Sequence, residues 1–508
     1  MIREIAYGFA GLVLAITVDF LFGIRDDPRE PPRLRPKIPL VGHAIGLFQY
    51  GTGRYSSRLS QRTDAEMYTL GIFHVKVYVC NNRRLVPLIQ RSSKTLSLRP
   101  LIQLGAKKYA GANDETYHLF GRKLADEFGD AQTSALSPGP HLDKANLRMG
   151  KQLIVELEGL LDIPRGMSKT IKLYKLVKDT VVQATGSGIY GANHHFRDPV
   201  VNDSFWKWQP YLAAEMTGLG LFTAKGRAAR DKVIDACRKY NESSIEDAAY
   251  VVHERHRVLR EAGISPDEIA KRDATFPIAM FANTIPTLYW AIWELFSRPT
   301  ILKEVRDEIE SRAVSGSKQD GFVLDVAALK SKCPLLLSMF EETQRTRHIH
   351  ANTRAVLSDT LLDNGKYLLK AGNYLLVPGR PIHSNVGIWG PSALEFDPYR
   401  FIPKKGSDRE AVTPSAFLAW GAPPHLCPGR QFASTEILIA LALLAVRADL
   451  QPSRGSWEKN PALNYGEHAA IESPKRDVDI EVKVRDRWTG DWSLTASESL
   501  SRIPLASG

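Results

Sequence analysis

The sequence predicts a mainly α-helical domain with small β-sheets, preceded by one N-terminal transmembrane helix. Three observations carry this. Helical periodicity runs through most of the 508 residues, strand-like runs are confined to residues 73–80 and 354–376, and residues 5–24 form a twenty-residue apolar run with one charge. A chain that is 44% apolar and 24% charged is neither a disordered tail nor a disulfide-stapled miniprotein.

The apolar run sets the N-terminal element. At helical rise, twenty residues span roughly 30 Å of hydrocarbon. The run exceeds the apolar core of a cleaved signal peptide, and no small-residue cleavage site precedes Arg25. Arg25, Arg29, Arg33, Arg35 and Lys37 outnumber Asp26, Asp27 and Glu30, an excess that keeps this side in the cytosol. Residues 1–24 are therefore expected to be the anchor and 25–42 a basic linker held semi-extended by Pro28, Pro31, Pro32, Pro36 and Pro39. Residues 43–492 are expected to form the folded body, and the small, polar stretch 493–508 a loose tail.

Within the body, residues 265–299 are expected to form one very long helix, opened by a capping box from Ser265 to Glu268 and kinked at Pro277 and Pro286. Its middle third carries almost no charge, so it must be buried. Further helices are expected over 300–313, 334–347 and from 428 onward. The four cysteines, Cys80, Cys237, Cys333 and Cys427, show no CxxC spacing and argue against both a disulfide framework and a zinc site. A net charge of +11 fits an anionic partner, whether nucleic acid, acidic lipid or an acidic protein.

One segment concentrates the chemistry. Residues 420–433 read WGAPPHLCPGRQFA and place Cys427 in a Gly/Pro-rich loop just before a helix. Pro428 is tolerated at a helix start, and Gly429 allows a bulky group to approach the backbone. Amide donors and the helix dipole at that end favour thiolate over thiol.

The segment resembles the haem-ligand loop of cytochrome P450, F-x-x-G-x-R-x-C-x-G. Trp420 stands at the aromatic position, Pro423 at the usual Gly, His425 at the usual Arg and Gly429 at the final Gly. Glu342 and Arg345 match the family's E-x-x-R, and Arg400 in FDPYRF, 55 residues after Arg345, matches its third partner. The resemblance covers residues 31–487. It implies the cytochrome P450 fold and a haem b cofactor whose iron is held by Cys427. It also implies a triad of Glu342, Arg345 and Arg400 bracing the ligand loop, with His425 and Arg354 reaching the haem propionates. The family's W-x-x-x-R, on a helix over the haem, is not visible; Lys144 and Arg148 keep its spacing without the Trp and are expected to take its haem contact.

On the oxygen side the family's A/G-G-x-D/E-T-T is replaced by residues 282–287, ANTIPT, with Ile285 at the acid and Pro286 at the first Thr. This pattern looks like the branch containing sterol 7α- and 12α-hydroxylases and prostacyclin synthase, which mixes monooxygenases with an isomerase. Asn283 is expected to orient a water near the iron, with Thr284 or Thr287 relaying protons; alternatively, Asn283 only satisfies carbonyls freed by Pro286.

The resemblance implies a monooxygenase for an apolar small molecule, drawing electrons from an NADPH-cytochrome P450 reductase and sited on the endoplasmic reticulum membrane with its body in the cytosol. Fungal-type secondary metabolism, of terpenoids, alkaloids or polyketides, is the analogy. The alternatives are a redox-independent haem-thiolate isomerase or dehydratase, and a non-catalytic membrane-tethered binder. Nucleic acid drops out as a partner, because the +11 balance is taken up by the juxtamembrane stretch and a reductase-facing surface. The sequence carries no readable code for the substrate in its pocket loops, 97–120 and 203–225.

Overall fold

Helices that are apolar on every side can only be central, and two of them organise this protein. Phe276–Phe296 is buried without interruption from Thr284 to Phe296, and Arg430–Arg447 is buried at nearly every position after its first residue. The two pack on each other, and Leu173–Tyr190 and Pro334–Arg347 pack on the first. Pro140–Leu161 closes the bundle with its buried residues at helical spacing, Leu142, Ala145, Met149 and Leu153 among them. The computed structural model describes residues 26–72, 74–216, 223–243, 245–402, 413–423, 425–464, 470–496 and 502–506. The expected anchor, residues 1–24, lies outside these, and among the described residues no helix is long and apolar enough to cross a membrane.

The long helix expected over 265–299 is two helices, Pro266–Ala274 and Phe276–Phe296. Pro277 falls in the first turn of the second helix, where a missing N–H costs nothing, so it starts a helix instead of kinking one. Thr275 ends the first helix by donating from Oγ1 to the Arg272 carbonyl at 2.7 Å. Pro286 stays inside the second helix. The capping box is half formed: Ser265 Oγ accepts the Glu268 amide, but the Glu268 carboxylate turns away to accept the Asn113 amide at 3.0 Å.

A six-stranded sheet runs in the order Arg33–Leu34, Met67–Ile72, Val75–Cys80, Tyr374–Pro378, Ala351–Val356 and Leu96–Ser97. The linker thus joins the fold instead of spacing it. Arg33 and Leu34 pair with Thr69 and Leu70, and buried Glu30 accepts Lys76 Nζ at 2.7 Å and the Tyr78 hydroxyl at 2.7 Å. In the same sheet Arg354 lies opposite Leu375.

The loose tail expected from Ser493 is also corrected. Trp492–Thr495 pairs in parallel with Gly321–Asp325, and Ile503 and Leu505 are buried in the main core. Isolated apolar residues among small polar ones hid these anchors, because a two- or three-residue contact leaves no periodic signal.

Candidate active site

The ligand loop is a short hairpin. Gly421–Ala422 pairs with His425–Leu426, and the Cys427 amide donates to the Trp420 carbonyl at 2.8 Å. Gly421 has φ +90, and a Cβ there would stand 2.9 Å from the His425 carbonyl oxygen, so only glycine closes this turn. The chain enters its helix at Arg430, whose amide donates to the Cys427 carbonyl at 3.3 Å. Burial pushes the Cys427 thiol up, against the pull of the Gly429 amide and then of Arg430. The expected bias to thiolate from the helix end is therefore present but outweighed by desolvation.

Beneath the loop the three expected charges form one buried cluster. Arg345 donates to both Glu342 oxygens at 2.7 Å, and Arg400 Nε donates to Glu342 Oε1 at 3.0 Å. The side chains of all three are at most 2% exposed. Burial of this charge is tolerable because every guanidinium nitrogen is used: Arg345 also reaches the carbonyls of His383, Ala393 and Glu395, and Arg400 those of Trp389, Ser392 and Glu395.

The link from triad to loop was not legible in the sequence. His383, whose carbonyl takes Arg345, uses its ring Nε2 to accept the Leu418 amide at 2.8 Å. Leu418 in turn accepts the Gly421 amide at 3.0 Å. No spacing rule marks His383, which is brought to Leu418 by the turn after Tyr374–Pro378.

Three features leave room for a large anionic cofactor. Arg354 is buried yet meets no carboxylate among the described residues; its one hydrogen bond goes to the Thr353 carbonyl at 2.9 Å, and burial pushes its guanidinium down to about 10. A Cβ at Gly429 would meet nothing within 4 Å. The long helix, sealed after Thr284, leaves Ile278, Ala279, Ala282 and Asn283 open along one face, with Ala279 exposed in the middle of an apolar element. These residues fit a haem: Cys427 would hold its iron, and Arg354 and His425 its carboxylates, beside the open helix face.

The placement of the other expected residues is mixed. His425 is exposed to solvent, yet partial desolvation and then Arg354 push its imidazole down, while Asp126 and Asp130 pull the other way. Asp126 and Asp130 belong to the helix Leu124–Ala135. Lys144 and Arg148 stand on Pro140–Leu161 instead. Lys144 is exposed, and Arg148 is committed to the Asp247 carboxylate at 2.9 Å and the Gly188 carbonyl at 2.7 Å. Their expected haem contact is corrected accordingly.

On the long helix, Asn283 Oδ1 accepts the Ala470 amide at 2.8 Å, and the Ala470 carbonyl accepts the Ile349 amide. Asn283 therefore ties a neighbouring loop to the helix, which is neither of the two roles expected of it. Thr287 Oγ1 donates to the Asn283 carbonyl at 2.6 Å, a bond to the residue four back and not to Ala282, whose carbonyl Pro286 frees. Thr284 is buried, and no described residue hydrogen-bonds its hydroxyl.

A mainly helical fold, a cysteine on a hairpin at a helix start and a buried Glu–Arg–Arg brace define a haem-thiolate protein. The chain belongs to the cytochrome P450 family. Residues 224–466 match the family model for cytochrome P450. The chain is 30% identical to the cytochrome P450 monooxygenase nodJ of Hypoxylon pulicicidum over 98% of its own length and 99% of that protein. It is 24% identical to a cytochrome P450 monooxygenase of Gibberella zeae over 90% of its length and 88% of that protein. A shorter match, 30% identity over 38% of this chain and 41% of the other, is to a 5-beta-cholestane-3-alpha,7-alpha-diol 12-alpha-hydroxylase of Sus scrofa. The protein is thus a haem-thiolate enzyme of the monooxygenase class.

Proposed function

We propose that this chain oxidises an apolar, membrane-soluble small molecule in fungal-type secondary metabolism, with Cys427 as the axial ligand. Its electrons come from an NADPH-cytochrome P450 reductase, and residues 1–24 hold it on the endoplasmic reticulum membrane. The single observation that carries the assignment of Cys427 is the hydrogen-bonded path from the buried triad through His383 and Leu418 to the hairpin. When bound, a thiolate-ligated haem supplies oxygen activation for attack on unactivated C–H bonds.

The chain's own residues bind and shield. Arg354 and His425 hold the haem carboxylates, and Ile278, Ala279 and Ala282 offer the substrate an apolar wall that excludes water. Thr284 is the one hydroxyl of residues 282–287 not already spent on protein, and it passes protons on the oxygen side. Reconstitution with reductase, NADPH and oxygen should give products one oxygen heavier than their precursors by mass. The ferrous carbon monoxide band should be of thiolate type and vanish in Cys427→Ala; its persistence there would sink the assignment.

A second reading rests on the same helix. With Ile285 at the acid position and both Asn283 and Thr287 bonded to protein, the proton-delivery pair of most relatives is lacking, which suits a redox-independent isomerase or dehydratase. Turnover without reductase, NADPH and oxygen would select that reading; a strict need for all three would reject it.

A further inference from the structure

The segment Arg502–Ala506 is clasped to the two helices that carry the site. Gln431, four residues after Cys427 and 2% exposed, grips one residue twice: its Oε1 accepts the Ile503 amide at 2.8 Å and its Nε2 donates to the Ile503 carbonyl at 3.1 Å. Three residues on, the Ala506 amide donates to Glu341 Oε1 at 2.6 Å, and Glu341 is the immediate neighbour of Glu342 in the triad. Ile503 is fully buried in the main core. Ala506 packs on the cluster of Trp389, Ala393, Ala416 and Phe417, against which Trp420 also packs, and it is the Trp420 carbonyl that accepts the Cys427 amide. Burial pushes the Glu341 carboxyl up to about 8, so near neutral pH it sits in the clasp mainly as a neutral acid, as its apolar surroundings require.

The ligand hairpin has little cohesion of its own, with two residues in each strand. The triad supports it from one side through His383. We propose that Arg502–Ala506 is the second brace of the axial-cysteine loop, with Gln431 and Glu341 as the positioning residues that hold it. The segment stiffens the first turn of the helix that begins at Arg430 and packs on the same apolar cluster as Trp420, so the hairpin is backed at both its entrance and its exit. The proposal rests on Cys427 being the iron ligand.

The test uses the full-length, haem-loaded protein. Gln431→Met keeps volume and removes both bonds to Ile503, and Ala506→Pro deletes the donor to Glu341 while restricting the backbone at Leu505. Two readouts are needed: amide exchange at Ile503, and the rate at which the thiolate-type ferrous carbon monoxide band decays on mild heating. Loss of two hydrogen bonds should speed Ile503 exchange on the order of 10-fold or more in Gln431→Met. Both variants should lose the thiolate-type band several-fold faster, while exchange in the strand Asp479–Val484 stays unchanged. Ile503 exchanging at the rate of unstructured chain in the unaltered protein would overturn the clasp. Release of the segment with the band as durable as before would overturn its bracing role. Cys427→Ala separates the two readings: a surviving thiolate-type band defeats the ligand assignment, whereas Ile503 exchange reports the clasp regardless of which residue binds iron.

Discussion

His383 Nε2 accepts the Leu418 amide at 2.8 Å, while the carbonyl of the same residue receives Arg345 at 2.5 Å. One histidine therefore joins the triad to the ligand loop, with its ring stacked on Phe417 at 5.5 Å. Accepting on Nε2 requires the neutral ring, and burial, aided by Arg345, pushes the imidazole from 6.5 down to about 3.

The sign of the resulting pH dependence is fixed. The unfolded chain binds the proton below pH 6.5 and the folded one does not until about 3, so the stability from this site is complete above 6.5 and is lost progressively down to about 3. His383→Phe keeps the stack on Phe417 but strands the Leu418 amide, at a cost of about 1–3 kcal/mol. The acid arm of its stability curve should flatten by about 1.4 kcal/mol per pH unit, as measured by urea midpoints between pH 4 and pH 6.5.

Glu342→Gln should cost about 3–5 kcal/mol, because two buried guanidiniums lose their only shared anion. Yield of folded haem protein and the denaturant midpoint should both collapse. A change below about 1 kcal/mol would show that the backbone carbonyls around Arg345 and Arg400 suffice by themselves.

Thr284→Val and Thr287→Val should behave oppositely. Thr287 spends its hydroxyl on the Asn283 carbonyl, so its loss should lower stability by about 1 kcal/mol with little effect on the chemistry. Thr284 meets no described partner, so its loss should leave stability nearly intact while more NADPH is consumed per product formed. Equal coupling ratios in Thr284→Val and the parent would remove Thr284 from proton delivery.

Glu436 is buried at the interface with Leu173–Tyr190, and Thr185 Oγ1 lies 2.7 Å and 2.8 Å from its two oxygens. Burial raises its carboxyl from 4.5 to about 8. The folded protein then holds a proton that the unfolded chain releases, so this contribution is full below pH 4.5 and declines as pH rises through about 8. Glu436→Gln, which is neutral at every pH, should remove a slope of about 1.4 kcal/mol per pH unit from the alkaline arm. An unchanged slope between pH 5 and pH 8 would mean the carboxylate is ionised in place.

The catalytic body was largely legible because its determinants are local. Cys427, Gly429 and the Glu342, Arg345 and Arg400 positions are fixed by short motifs, and the helices Pro299–Arg312 and Pro334–Arg347 by periodicity between prolines. Where reading failed, a local rule had two outcomes. Pro277 either kinks a helix or begins one, and nothing in its neighbours distinguishes the two. Lys144 and Arg148 keep a spacing without its Trp, and only the fold shows that one is exposed and the other spent on Asp247 and Gly188.

The sequence by itself determined the family, the iron-ligand candidate, the buried triad and the apolar character of the long helix, all of which follow from residue type at fixed separation. Tertiary structure alone decided that Asn283 ties down Ala470, that His383 carries the triad to the hairpin and that Gln431 and Glu341 clasp Arg502–Ala506. Those contacts join residues 35 to 187 positions apart. At such distances a hydrogen bond depends on how helices and strands pack, not on the residues beside it in the chain.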